Sequence, residues 1–211
     1  MTFARRRPSR RDLLAGAAAL AACGPAAVAA AGDLRARIAR GGVVVLPPGE
    51  TATTGLALPD GARLLAPKGG ATLRLLGPGP LLRAAQDARR VALEGVTLTG
   101  DGAATLAAFE RLDELTVTGC AFLGAGAGLE ARGCGGSVRD SRFTGHSRHG
   151  VFSLDGVAMA IAGNRVEDCG ENGVLVWRSA IGDDGARVSG NAIARIRADR
   201  PGDGPYGNAI S

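Results

Sequence analysis

The chain has 211 residues, with 25 basic against 20 acidic side chains and only 3% aromatic residues. Its formal charge of +5 is not a nucleic-acid footprint: residues 1–31 hold five arginines and one aspartate, so residues 32–211 carry 20 basic and 19 acidic side chains. Stacking aromatics are scarce too, at one Trp, one Tyr and five Phe, and no nucleic-acid partner is expected.

Residues 1–31 read as an export signal, set apart from the fold. Arg5–Arg7 and Arg10-Arg11 make a basic leader, and Ser9-Arg10-Arg11-Asp12-Leu13-Leu14 resembles a twin-arginine motif. Leu13 stands there where Phe is usual. Leu13–Ala22 is apolar but too short to span a bilayer as a helix. Two processing outcomes stay open. Ala27-Val28-Ala29 and Ala29-Ala30-Ala31 are small-x-small cleavage candidates, while Leu20-Ala21-Ala22-Cys23-Gly24 resembles a lipobox that would lipidate Cys23. The expected partner in export is the twin-arginine translocase. The address is periplasmic or secreted, with a membrane anchor only if Cys23 is lipidated.

Residues 32–110 are expected to form a cap and irregular opening coils. Asp33–Arg40 places Leu34 and Ile38 at i,i+4, which predicts a short amphipathic helix, N-capped by Asp33 and ended by Gly41-Gly42. Val43–Leu46 reads as a buried strand and Pro47–Gly49 as a turn. Leu56–Leu58 and Ala62–Leu65 come next as strands split by Pro59-Asp60-Gly61. Leu73–Leu76, Leu81-Leu82 and Val91–Leu98 continue the series.

Residues 111–211 repeat. Val117–Phe122, Val138–Phe143, Ile161–Val166 and Val188–Ile193 share one pattern at steps of 21, 23 and 27 residues, and Leu93–Leu98 is a fainter copy. A second half recurs at Gly128-Leu129, Gly150-Val151, Gly173-Val174 and Ala209-Ile210. Such a period with very short strands predicts an all-β solenoid, a right-handed parallel β-helix with an N-terminal capping helix. Leucine-rich repeats share the period but need a Leu and Asn pattern that is absent. Gly207–Ser211 stops inside a strand expected to begin a further coil, so the C-terminal end is expected to be truncated or covered by another element.

The helix, then G-G-V-V-V-L-P-P-G and L-x-L-P-D-G-x-x-L, resembles the opening of pectate-lyase-like β-helix proteins. With the twin-arginine leader and N-G-V-L-V-W-R-S-x-x-G-D-D-G at Asn172–Gly185, the whole chain resembles a family of twin-arginine-translocated bacterial repeat proteins. The resemblance implies fold and export, and no catalytic residue.

Strand alternation then sorts the second half-coil. Leu129, Val151, Val174 and Ile210 form one inward column, and Ala131, Ser153 and Val176 the next. Glu130, Phe152, Leu175 and Arg132, Leu154, Trp177 face outward. Ser141, Asn164 and Asn191 share a turn column whose side chains can hydrogen-bond along the stack. Three cysteines lie beyond the signal, Cys120, Cys134 and Cys169. Cys120 and Cys169 align two coils apart, about 10 Å, too far for a disulfide. No spacing suggests a metal site, and no cofactor is expected.

Phe152, Leu154, Leu175 and Trp177 form an apolar patch, either a platform for sugar rings or a surface covered by a partner subunit or by a loop, 180–187 or 198–207. Polar residues gather beside it. Arg148 is expected over Glu171, His149 over Asn172 and Asp155 over Arg178. Arg148, His149, Asp155 and Arg178 could hold a carboxylate and move a proton in a uronic polysaccharide. Asp183 and Asp184 could serve hydrolysis or ligand binding. The competing reading is an ordinary surface charge ladder. The expected function is binding of a polysaccharide or envelope glycan along the solenoid face. Alternatives are a polysaccharide lyase, hydrolase or epimerase, and a structural or adhesive surface protein.

Overall fold

The computed structural model describes residues 25–197 and 207–211. Arg10, Arg11 and Cys23 therefore lie outside the described residues. The remainder winds into a right-handed parallel β-helix of seven coils, each with three strands. The first coil holds β1 (Val43–Val45), β2 (Gly49–Thr53) and β3 (Leu56–Leu58). The second holds β4 (Ala62–Leu65), β5 (Ala71–Leu75) and β6 (Leu82–Ala84), and the third β7 (Arg90–Glu94), β8 (Thr97–Gly100) and β9 (Thr105–Glu110). The fourth holds β10 (Glu114–Thr118), β11 (Ala121–Gly124) and β12 (Ala127–Arg132), and the fifth β13 (Gly135–Arg139), β14 (Arg142–Thr144) and β15 (His149–Leu154). The sixth holds β16 (Val157–Ala162), β17 (Arg165–Glu167) and β18 (Asn172–Trp177), and the seventh β19 (Arg187–Ser189), β20 (Ala192–Ala194) and β21 (Asn208–Ile210). The first strands of successive coils form sheet A, the second strands sheet B and the third strands sheet C, all parallel.

Register follows the repeat. Val117, Val138, Ile161 and Val188 stack in sheet A. Phe122, Phe143, Val166 and Ile193 stack in sheet B. Leu129, Val151, Val174 and Ile210 stack in sheet C as the alternation predicted. Each coil alone would leave its apolar residues in water; stacked, Phe122 and Phe143 are fully buried with rings 4.6 Å apart. Burying each such ring contributes about 1.5–3 kcal/mol. The final strand, β21, closes the seventh coil rather than opening another.

Coils close at three corners. In coils three to seven the corner between sheets A and B has two residues, while the corner from C to A ranges from two to nine (178–186). The first residue of the short corner, Gly95, Gly119, Asp140, Gly163 or Gly190, has φ between 49° and 68°. That left-handed backbone favours Gly and Asp. The second residue carries the expected ladder. Ser141 Oγ accepts from the Cys120 amide, Asn164 Oδ1 from the Ser141 amide and Asn191 Oδ1 from the Asn164 amide, at 2.9–3.1 Å.

Several expectations need correction. The helix α1 runs Pro25–Ala39, because the alanine run upstream of Asp33 is itself a strong helix former. Asp33 is thus inside the helix and lies 4.0 Å from Arg37, one turn on. Its capping role for the solenoid holds: Leu34 and Ile38 are buried in the first coils, and Arg35 donates to the carbonyls of Thr54 and Gly55. Val43–Leu46 is not buried throughout, since Val43 and Val45 point to solvent. Cys120 and Cys169 do not share a column. Cys120 lies at the A–B corner, Cys134 at C–A and Cys169 at B–C, and all three are free. No described helix is long and apolar enough to cross a membrane.

Candidate functional site

The outer face of sheet C brings the predicted residues together. One outward column runs Ala57, Arg83, Ala108, Glu130, Phe152, Leu175. Its neighbour runs Glu110, Arg132, Leu154, Trp177. His149 joins this face because of Gly150. A Cβ on Gly150 would lie 2.6 Å from Val166 Cγ1 and 3.2 Å from Phe143 Cβ. Gly150 and Val151 therefore both face the core, and His149 falls on the outer side, its ring 5.2 Å from that of Phe152.

Glu130 is the centre of the cluster. Its side chain is 11% exposed, and Arg148 reaches it at 3.0 Å and Arg132 at 3.2 Å. Thr105 Oγ1 donates to Glu130 Oε1 at 3.1 Å and accepts from Arg148 at 3.1 Å. His149 lies between two carboxylates, Nε2 at 3.5 Å from Glu130 and Nδ1 at 3.5 Å from Glu171. Burial pushes the Glu130 carboxyl upward. His149, Arg148 and Arg132 outweigh burial and hold it down at about 2. Glu130 is thus a fixed anion at neutral pH and no proton donor. The expected stacking of Arg148 on Glu171 holds for the backbone, where the Glu171 amide donates to the Arg148 carbonyl, but the guanidinium turns back one coil to Glu130. His146 leaves the polar turn altogether: it is buried against Gly128, and burial lowers its pKa to about 4.

Asp155 and Arg178 stand apart, at the corner leading to sheet A. Asp155 accepts from the Ser179 amide at 2.6 Å and the Ser179 hydroxyl at 2.8 Å, and these bonds lower its pKa. Arg178 donates to the Ala180 carbonyl. The Arg148–His149 pair and the Asp155–Arg178 pair therefore do not share one centre. Asp183 and Asp184 accept from the amides of Gly185 and Ala186. Among the described residues no three His, Cys, Asp or Glu side chains converge as for a metal ion.

The apolar patch divides. Phe152 lies under the Arg132 guanidinium, 5.2 Å from ring centre, and belongs to the charged cluster. Leu154 and Leu175 are half-buried, and Trp177 is 57% exposed, so loop 178–186 does not cover it. Toward the N-terminal coils the same face dips at Ala108, between cavities of about 450 and 270 Å³ that share Pro80 and Ala108 in their walls. A third cavity, of about 510 Å³, lies on sheet A, where Arg63 pairs with Glu94 at 2.6 Å. It contains none of the predicted residues.

The sequence reading placed Glu130 and Arg132 outward but gave neither a role, and it passed over Thr105. The available signal was an acid in an otherwise apolar strand, one coil before an Arg-His pair. No family model and no curated protein matches the chain.

Proposed function

We propose that the protein binds a glycan along the outer face of sheet C. The observation that carries this is the alignment of an exposed indole, Trp177, with Leu154 and Arg132 in one outward column on three successive coils. An indole face and an aliphatic neighbour suit the C–H face of a sugar ring, and the adjacent guanidiniums suit its polar groups. The trough at Ala108 extends the same surface over further coils.

Trp177 is the single tryptophan, so its emission reports the site directly. Titrating acidic and neutral polysaccharides should shift that emission. Trp177→Ala should weaken pull-down about fivefold or more, the loss seen when an aromatic anchor is truncated. If no polymer shifts the emission and none is retained, the reading is wrong and a structural or adhesive role takes its place.

A second reading, a lyase, hydrolase or epimerase, draws on His149 between Glu130 and Glu171. Weighing against it, the His149 side chain is 9% exposed and Glu130 cannot give a proton. New reducing ends, lost on His149→Ala, would reverse this order.

On this reading the leader would carry the chain to a ligand outside the cytoplasm. Arg10 and Arg11 would take the chain through the twin-arginine pathway, as in the bacterial repeat family that the leader, the opening motif and Asn172–Gly185 together resemble. Arg10→Lys with Arg11→Lys should leave a fused reporter in the cytoplasm; unchanged export would exclude that route.

A further inference from the structure

We infer that the glycan is one in which acidic and uncharged sugars alternate, with Arg132 as the residue that sets this preference. The inference rests on the glycan-binding reading of sheet C. The column Glu110, Arg132, Leu154, Trp177 offers one side chain per coil, about 4.8 Å apart along the solenoid axis.

Arg132 is pre-organised. Its guanidinium is fixed by Glu130 at 3.2 Å and by the Phe152 ring beneath it, yet the side chain is 42% exposed. Glu130 is shared with Arg148, so its carboxylate is divided between two guanidiniums and leaves part of the Arg132 fork unpaired. A planar guanidinium with N–H groups still open to solvent is a ready carboxylate partner. Arg165 in sheet B and Arg195 just beyond it are paired more closely, at 2.5 Å from Glu167 and 2.7 Å from Asp168.

The neighbours of Arg132 set the spacing. One coil toward the N-terminus, Glu110 repels a second carboxylate. One coil the other way, Leu154 gives a charge no partner. Trp177 comes next as a flat surface for the C–H face of a sugar ring. A polymer of consecutive uronates would set carboxylates against Glu110 and Leu154. An alternating polymer sets one on Arg132, passes neutral rings over Glu110 and Leu154, and lays the C–H face of the next uronate on Trp177.

The test is calorimetric titration of the chain with three oligosaccharide series of equal length. They are hyaluronan fragments (alternating uronate and N-acetylhexosamine), oligogalacturonates (consecutive uronates) and cello-oligosaccharides (neutral). The hyaluronan series should bind about tenfold tighter than the consecutive uronates, the scale of one charge-assisted hydrogen bond. Arg132→Gln should remove that advantage. Glu110→Gln, which touches neither Glu130 nor Phe152, should raise binding of consecutive uronates several-fold. Consecutive uronates binding as tightly as the alternating series, or an Arg132→Gln protein with unchanged preference, would overturn the inference and leave glycan binding standing. No heat with any series would sink both.

Discussion

Replacing Glu130 by Gln keeps the shape of the buried cluster and removes its charge. The folded carboxyl titrates at about 2, below its ordinary 4.5. At about 1.4 kcal/mol per unit, the ionised form contributes about 3 kcal/mol, and screening at the exposed Arg132 edge trims this toward about 2. The sign is that of a depressed carboxyl. The stabilisation is complete above about 4.5 and is lost as pH falls through about 2. Urea unfolding followed by circular dichroism should therefore place Glu130→Gln about 2–3 kcal/mol below the native protein at pH 7. At pH 3 the gap should fall to less than half. Carboxylates away from this cluster titrate alike in both proteins and cancel in the difference. Equal stability at pH 7, or a gap that stays constant from pH 7 to pH 3, would refute the claim that charge holds this cluster together.

The same geometry sets three further outcomes. Asn164→Ala removes the acceptor of the Ser141 amide and the donor to the Val138 carbonyl in a fully buried corner; a loss of about 2–4 kcal/mol in urea unfolding is expected. Gly150→Ala drives a methyl against Val166 and Phe143 and should cost about 1–3 kcal/mol, with a changed amide-exchange pattern around His149. Burial raises Cys120 and Cys169 to about 11, so a thiol reagent at pH 8 should label these two cysteines only after urea is added. Rapid labelling of the folded chain would contradict their positions in the corners.

The core was legible because a stacked coil permits only one alignment of its aliphatic residues. Val117, Val138 and Ile161 must share a column or expose themselves, and the order of spacings already says so. Strands β2 and β9 escaped notice. Gly49–Thr53 carries no long aliphatic side chain, and Thr105–Glu110 departs from the Gly-aliphatic pattern of later coils. The site was half legible. Register set which backbones lie over one another, and His149 does sit over Asn172. Register does not set where a long side chain goes. Arg148 had carboxylates on both adjacent coils and took the buried one, where the lower local dielectric makes a charge pair stronger. Asp155 preferred the amide and hydroxyl of Ser179 over the guanidinium of Arg178, since rigid nearby donors cost less side-chain freedom than a flexible arginine.

The two-residue corner between sheets A and B is the spine on which the coils are threaded. In coils three to seven one added residue there would turn the next strand inside out; coils one and two span the same corner with three and five residues (46–48 and 66–70). The other two corners vary in length along the whole stack, the one from C to A from two to nine residues. Both border sheet C. Chain can thus be lengthened on either bank of the candidate binding face without retuning a single core column, and walls can be raised beside it while the floor stays fixed. A fold of this kind lets ligand preference drift by insertion while stability is conserved by register.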